Sequence, residues 1–265
     1  MTSYRNLKAD KRGQVLDLRL FRPQVKNAFN PDLIRELRQA VQAAATDASL
    51  RLITLRGEGG TFCSGGDLNW MKASLAFTPE ENQADAENLY ALFDALDRCP
   101  LPVIAVVEGH ALGGGVGLVS VCDYALALRG THFSLSEVRV GLVPACIGPF
   151  VLRKIGPSHA RALFLSSERF DADRALAIGL VHEVAADAPA LEKALARLTE
   201  SLLSASPNAI AVAKDFLREL GRLPPEAHGS LAVKTLADLR VTPQAQEGLR
   251  AFLEKRKPDW GRAEA

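Results

Sequence analysis

Apolar and polar residues alternate over residues 15–20 (VLDLRL), the period-two pattern of a strand with one face in the core. FRPQVKNAFNP then reads as a loop that ends in a helix start, with Asn30 as N-cap and Pro31 at the first helical position. Leu33, Leu37, Val41 and Ala44 follow at helical spacing in DLIRELRQAVQAAA. A second strand is predicted at 50–56 (LRLITLR), running into the glycine-rich GEGGTFCSGGDL, and an acidic, Ala-rich helix from about Pro79 to Asp97. Residues 102–107 are apolar without interruption, as in a strand covered by helices on both faces. GHALGGGVGLVSVCD brings a glycine cluster with a helix behind it, and YALAL (124–128) predicts another short strand. From residue 157 the patterns are helical: HARALFLS, ADRALAIG, LEKALARLTESLL, PNAIAVAKDFLREL and QAQEGLRAFLEKR. Strand and helix alternate up to about residue 150, which predicts α/β layering with crossover connections. The helical last third is expected to be a lobe on that core or a surface for subunit packing.

Composition narrows the classes of function. With 265 residues, 48% of them hydrophobic and 24% charged, the chain can bury a substantial core. Lys and Arg number 32 against 31 Asp and Glu, a net charge of +1 that carries no footprint for nucleic acid or an anionic membrane. The apolar run LPVIAVV ends at Glu108, far short of the roughly 20 residues that cross a bilayer. The first residues, MTSYRNLKADKRG, hold no apolar signal segment. Cys63, Cys99, Cys122 and Cys146 form no CxxC pair and no metal spacing, so they read as reduced thiols of a cytoplasmic protein, and no metal is expected.

The two glycine clusters are candidate chemistry. One holds Gly57, Gly59, Gly60, Gly65 and Gly66, the other Gly109, Gly113, Gly114, Gly115 and Gly117. Each glycine costs a helix about 1 kcal/mol relative to alanine, so three in a row at a helix start need a reason. Unpaired N–H groups at a helix N-terminus favour developing negative charge, and two such turns converging would supply two donors to one oxygen. The alternative is that the glycines only let helices pack closely on a sheet. Neither cluster fits a Walker loop, a dinucleotide fingerprint or a nucleophile elbow.

Glu137 sits among Leu135, Val138, Val140 and Leu142, company that raises a carboxyl pKa and suits it to proton transfer. Pairing with Arg139 as a solvated surface group is the other reading. Asp67 is expected to cap the helix LNWMK, and Asp123 to anchor a strand by hydrogen bonds.

TFCSGGDL (61–68), GHALGGGVGL (109–118) with CDYALA (122–127), and FSLSEVRVGLVP (133–144) resemble, in that order, the active-site segments of the enoyl-CoA hydratase/isomerase, or crotonase, superfamily. RALFLSSERFDADRALAIGLVHEV (161–184) and EGLRAFLEKRKPDW (247–260) extend the resemblance to roughly residues 5–260. It implies an α/β spiral of β-β-α units over 1–195, with a helical trimerisation region over 196–265 and assembly as a trimer or a dimer of trimers. It implies acyl-CoA thioester substrates, with coenzyme A entering as part of the substrate and no separate cofactor. The thioester oxygen would be held by the backbone N–H groups of Gly66 and Gly114, with Ser64 an alternative in the first turn, and Glu137 would be the acid/base. Alanine at either glycine is then expected to harm by displacing an N–H or crowding the thioester. Cys63, Ser64, Gly65, Asp67 and Leu68 would line the coenzyme A path, and Lys255 and Lys257 would lie near its nucleotide end.

One departure stands out. Family hydratases often carry a further glutamate in the helix after the triple glycine, and here that position is Gly117. The expected activity is hydration of a 2-enoyl-CoA, with Δ3,Δ2-enoyl-CoA isomerisation by the single Glu137 as runner-up. A weakly active acyl-CoA-binding scaffold is the alternative of another class. A serine hydrolase using Ser64 or Ser136 lacks a triad. GGDLNWM, GGGVGL and SEVRVGLVPACIGPF resemble bacterial methylglutaconyl-CoA or carboxygeranoyl-CoA hydratases, so a branched or carboxylated acyl group is expected. Trp70, Met71, Leu75 and Phe77 are candidates for its pocket, and Arg139 or Arg153 for neutralising an acidic tail.

Overall fold

The computed structural model describes residues 4–261. β1 (Leu7–Arg12) and β2 (Val15–Leu20) form an antiparallel hairpin. A short 3-10 turn leads to α1 (Pro31–Thr46), after which β3 (Leu52–Gly57) pairs parallel with β2. α2 (Leu68–Ser74) and α3 (Pro79–Asp97) precede β4 (Val103–Val107), parallel to β3. Next come β5 (His110–Leu112), α4 (Gly114–Val121), β6 (Tyr124–Leu128) and β7 (His132–Ser134). A 3-10 turn at Glu137–Val140 is followed by α5 (Gly148–Ser166), β8 (Phe170–Asp171), α6 (Ala172–Ala177) and β9 (Glu183–Ala185). α7 (Ala188–Ser204), α8 (Pro207–Leu220), α9 (Pro225–Arg240) and α10 (Pro243–Leu253) end the described chain.

The main sheet has the order β1-β2-β3-β4-β6-β9, and a small sheet has the order β5-β7-β8. Each turn of the spiral leaves a main-sheet strand, adds a short strand to the small sheet, and returns through a helix: β4-β5-α4, then β6-β7-α5. The Cys63–Ala111 bridge gives residues 61–63 the same place after β3. This is an α/β spiral of repeated strand and helix units with helices gathered at its C-terminal end.

β4 explains its unbroken apolar pattern. Val103, Ala105 and Val107 face the core with Leu37 of α1 and Leu92 of α3, while Ile104 and Val106 face Leu191, Ala194 and Leu198 of α7. Both faces are thus sealed, each large side chain contributing roughly 1.5–3 kcal/mol. α1 starts as expected, with Asn30 Oδ1 accepting from Leu33 N at 2.9 Å, and buries Leu33, Leu37, Val41 and Ala44. α3 begins at a reciprocal capping box of Thr78 and Glu81, but buries only Leu92, Phe93 and Leu96, all in its C-terminal half. Its N-terminal half stays free to form the wall of a cavity.

Residue 195 lies inside α7, whose buried side chains belong to the sheet; the helices that leave the core begin with α8. α8 and α9 bury no residue, and Val233, Leu236, Phe252 and Leu253 are exposed. α8 is strapped to the core by Lys214 Nζ, which donates to Leu101 O and to Asp123 Oδ2. The same Asp123 oxygen accepts from Val103 N at 2.8 Å, the strand anchor expected of it. No helix among the described residues is long and apolar enough to cross a membrane.

Candidate active site

Two backbone turns meet at the end of the sheet. Cys63 N donates to His110 O and Leu112 N to Cys63 O, which lays the first glycine turn alongside β5. The contact is too close for side chains. A Cβ on Gly115 would stand 2.5 Å from the Cys63 carbonyl oxygen, and one on Gly65 would stand 3.1 Å from Leu112 O. Gly113 joins β5 to α4 at φ 50°, ψ −116°, a conformation that side-chain-bearing residues rarely adopt. Close packing and donor placement, read above as alternatives, are therefore one arrangement.

The turns leave two N–H groups free. Phe29 N donates to Gly65 O and Asp67 N donates to Phe29 O, so Gly66 points its own N–H to the opposite edge. Gly114 is the first residue of α4, where no earlier turn supplies an acceptor. Among the described residues, neither the Gly66 nor the Gly114 N–H has a protein acceptor.

A cavity of about 530 Å³ opens over both groups. Its floor is Ser64, Gly65, Gly66, Gly113 and Gly114; Leu68, Trp70 and Met71 of α2 and Asp85 and Leu89 of α3 form one wall; Val140 and residues 142–147 form the other. Glu137 enters from the 3-10 turn after β7, and a Cβ on Gly113 would lie 3.0 Å from its Oε1. Glu137 Oε2 is buried with no hydrogen-bond partner, and burial raises the carboxyl above its ordinary pKa. A carboxylate so placed favours holding a proton more than a solvated one does.

Arg139 does not neutralise it. The Arg139 guanidinium turns away and donates to Ser167 O at 3.2 Å. Arg153 pairs with Asp97 instead, and neither arginine lines the cavity.

Of the residues expected along the coenzyme A path, Ser64, Gly65 and Leu68 line the cavity and Cys63 and Asp67 do not. Cys63 is fully buried, its backbone is used by β5, and burial pushes its thiol up to about 12. Asp67 caps α2, accepting from Asn69 N at 2.7 Å, and pairs with Arg22 at 2.8 Å. Burial alone would raise the Asp67 carboxyl, but Arg22 and the helix N–H groups hold it below its ordinary value. Lys255 and Lys257 are exposed after α10; of the acyl-pocket candidates, Leu75 and Phe77 are not among the cavity lining.

The structure also explains Gly117. A Cβ there would overlap Ile147 Cγ2 and stand 2.9 Å from Ile147 Cβ and 3.0 Å from Phe93 Cε1. The space of a second carboxylate is filled by hydrocarbon. Trp70 and Met71, candidates for the acyl pocket, line the cavity. Asp85 was outside the reach of the sequence, because it enters from α3, which carries no motif of its own.

Known proteins resemble this chain over nearly its whole length. The chain is 34% identical over 249 residues to the 2,3-dehydroadipyl-CoA hydratase of Escherichia coli, covering 93% of this chain and 95% of that protein. Among solved structures, Pseudomonas aeruginosa AtuE superposes with a TM-score of 0.93 at 38% identity, covering 97% of this chain and 99% of that one. An enoyl-CoA hydratase from Shewanella pealeana superposes with a TM-score of 0.93 at 36% identity, covering 97% and 96%. The family model for enoyl-CoA hydratase/isomerase matches residues 10–263, the span that carries both glycine turns and the glutamate between the cavity walls, and the chain therefore belongs to that family.

Proposed function

We propose that the chain hydrates a 2-enoyl-CoA. The observation that carries this reading is a half-buried carboxylate, its Oε2 buried without a hydrogen-bond partner, facing the same cavity as two unpartnered backbone N–H groups. The N–H groups of Gly66 and Gly114 hold the thioester oxygen and stabilise the negative charge that forms there as the enolate develops, an effect worth about 3 kcal/mol per donor. Ionised Glu137 takes a proton from water while the oxygen of that water attacks the β-carbon. With hydrocarbon at position 117, Glu137 itself returns the proton at the α-carbon, so one residue serves as base and then as acid.

In H₂¹⁸O, trans-2-hexenoyl-CoA is expected to give product labelled on the β-carbon; no label with any 2-enoyl chain length would refute the reading. The filled space at Gly117 favours a second one, Δ3,Δ2-isomerisation, in which Glu137 carries a proton from the α- to the γ-carbon. A 3-enoyl-CoA then yields the 2-enoyl product with no oxygen incorporated. The retained glutamate speaks against an inactive scaffold.

The methylglutaconyl-like resemblance and the E. coli relative's substrate suggest a branched or carboxylated acyl group. A branched chain suits the apolar wall of Leu68, Met71, Leu89 and Val143. A carboxylated one meets no cation among the described lining residues, so of the two the cavity favours the branched, uncharged chain.

Alanine at the two donor glycines separates space from chemistry. A Cβ on Gly66 meets Met71 Cγ at 3.6 Å, an ordinary contact, whereas one on Gly114 stands 2.7 Å from Phe29 Cε2. Gly66→Ala is expected to keep kcat/KM within about 3-fold, a milder outcome than motif reading suggests. Gly114→Ala must displace Phe29, whose backbone holds the Gly66 turn, and is expected to lower kcat/KM at least about 10-fold with an unchanged pH profile.

Exposed Val233, Leu236, Phe252 and Leu253 on the outer helices support assembly as a trimer or a dimer of trimers. Light scattering at micromolar concentration is expected to give three or six times the chain mass of 28.5 kDa; a single-chain mass would refute it.

A further inference from the structure

Glu137 and Asp85 are the charged side chains among the described residues lining the cavity; no Lys, Arg or His is among them. Asp85 projects from the otherwise exposed half of α3 but is itself partly buried, and its Oδ1 accepts from Trp70 Nε1–H at 3.1 Å. Trp70 in turn rests on the donor turn, with its Cε3 3.9 Å from where a Gly66 Cβ would stand. The carboxylate is thus held one indole width and one hydrogen bond from Gly66. Its second oxygen has no hydrogen-bond partner among the described residues. Partial burial raises the Asp85 carboxyl above its ordinary value, partly offset by the indole bond.

We infer that Asp85 selects the acyl chain: it admits an uncharged chain, favours one that offers a hydroxyl or other donor to its free oxygen, and rejects one that ends in a carboxylate. The inference rests on the thioester reading of the cavity proposed above. Two carboxylates brought together in a cavity without a cation repel one another, and like charge juxtaposed at a binding surface is a strong means of rejection. A donor reaching the free oxygen gains a charge-assisted hydrogen bond.

The test uses saturated thioesters, which bind without reacting. Calorimetric titration of the full chain with hexanoyl-CoA, 6-hydroxyhexanoyl-CoA and the six-carbon chain ending in a carboxylate, and with the eight-carbon set, gives the selectivity directly. At one length or both, the carboxylated chain is expected to bind at least about 30-fold more weakly than the plain one, and the hydroxylated chain at least as tightly. Asp85→Asn keeps an acceptor for Trp70 and removes the charge. It is expected to narrow the gap to about 3-fold, read as the ratio of the carboxylated to the plain chain's affinity within each protein. Equal binding of carboxylated and plain chains at both lengths, or an unchanged gap in Asp85→Asn, would overturn the inference while leaving hydration standing. A gap that closes as expected in a protein that hydrates no 2-enoyl-CoA would overturn the hydratase reading and support this one. Failure to bind any thioester would overturn both.

Discussion

Replacing Glu137 with Gln is expected to lower kcat by at least about 10²-fold while leaving affinity for a saturated CoA thioester within a few-fold. Gln keeps the size and shape of the side chain and removes the base, and neither proposed donor N–H depends on it. Steady-state hydration and calorimetric titration check the two halves separately, and unimpaired hydration would end the proposed mechanism. The same substitution has a signed effect on stability. Burial raises the Glu137 carboxyl in the folded protein, so between its ordinary value, about 4.3, and its raised one the folded state holds more protons than the unfolded state. Stability from this group is therefore present below the ordinary value and is lost as pH rises through the window. Glu137→Gln is expected to melt higher than the parent at pH 7, with the gain shrinking toward pH 4. A residue whose replacement stabilises the fold while abolishing turnover is retained for its chemistry.

Gly117→Glu, which would supply the second carboxylate found in many family hydratases, is expected to damage this protein. Its Cβ alone overlaps Ile147, and the helix carrying it is buried from Gly115 to Val121. Overpacking of this kind costs about 1–3 kcal/mol, and an unpaired carboxylate there adds to it. Taking about 3 kcal/mol together, Tm should fall by about 6–12 °C for a chain of this size, and activity should fall rather than rise. Ile147→Gly introduced alongside should recover part of the loss, because it removes both atoms closest to the new Cβ. Thermal melts of the two single variants and the double variant check this coupling. Additive effects would show that Ile147 is not what excludes the glutamate.

How far the sequence could be read follows from where each element finds its partners. α1 was legible to the residue at its start through Asn30 and Pro31, and α3 approximately through Pro79, because these residues act locally; the Thr78 cap emerges only in the structure. β4 was legible because both its faces are buried. β1 was not: LKADKR is an edge strand with only Leu7 buried, so its charges mask the period. β5, β7 and β8 are two or three residues long and exist only through one another, and β9 depends on β6. α9 buries nothing and so leaves no core stripe to read. In the site, Glu137 announced itself by its apolar neighbours, and the glycine runs by their cost. Asp85 and Ile147 carried no such signal, since what they do depends on Trp70 and Gly117, residues met only after folding.

The origin of the cavity's parts bears on how this protein can change over evolutionary time. The proposed oxygen-binding groups belong to the main chain, held where two turns press backbone on backbone, so few substitutions there survive. One wall of the cavity comes largely from α2 and from the N-terminal half of α3, neither of which buries a residue. Replacements at such positions usually alter stability by less than about 0.5 kcal/mol. Leu68, Met71 and Asn82 can therefore drift, and with them the range of acyl groups accepted, without disturbing the apparatus beneath. A lineage built this way explores new substrates at one set of positions while purifying selection holds the other still.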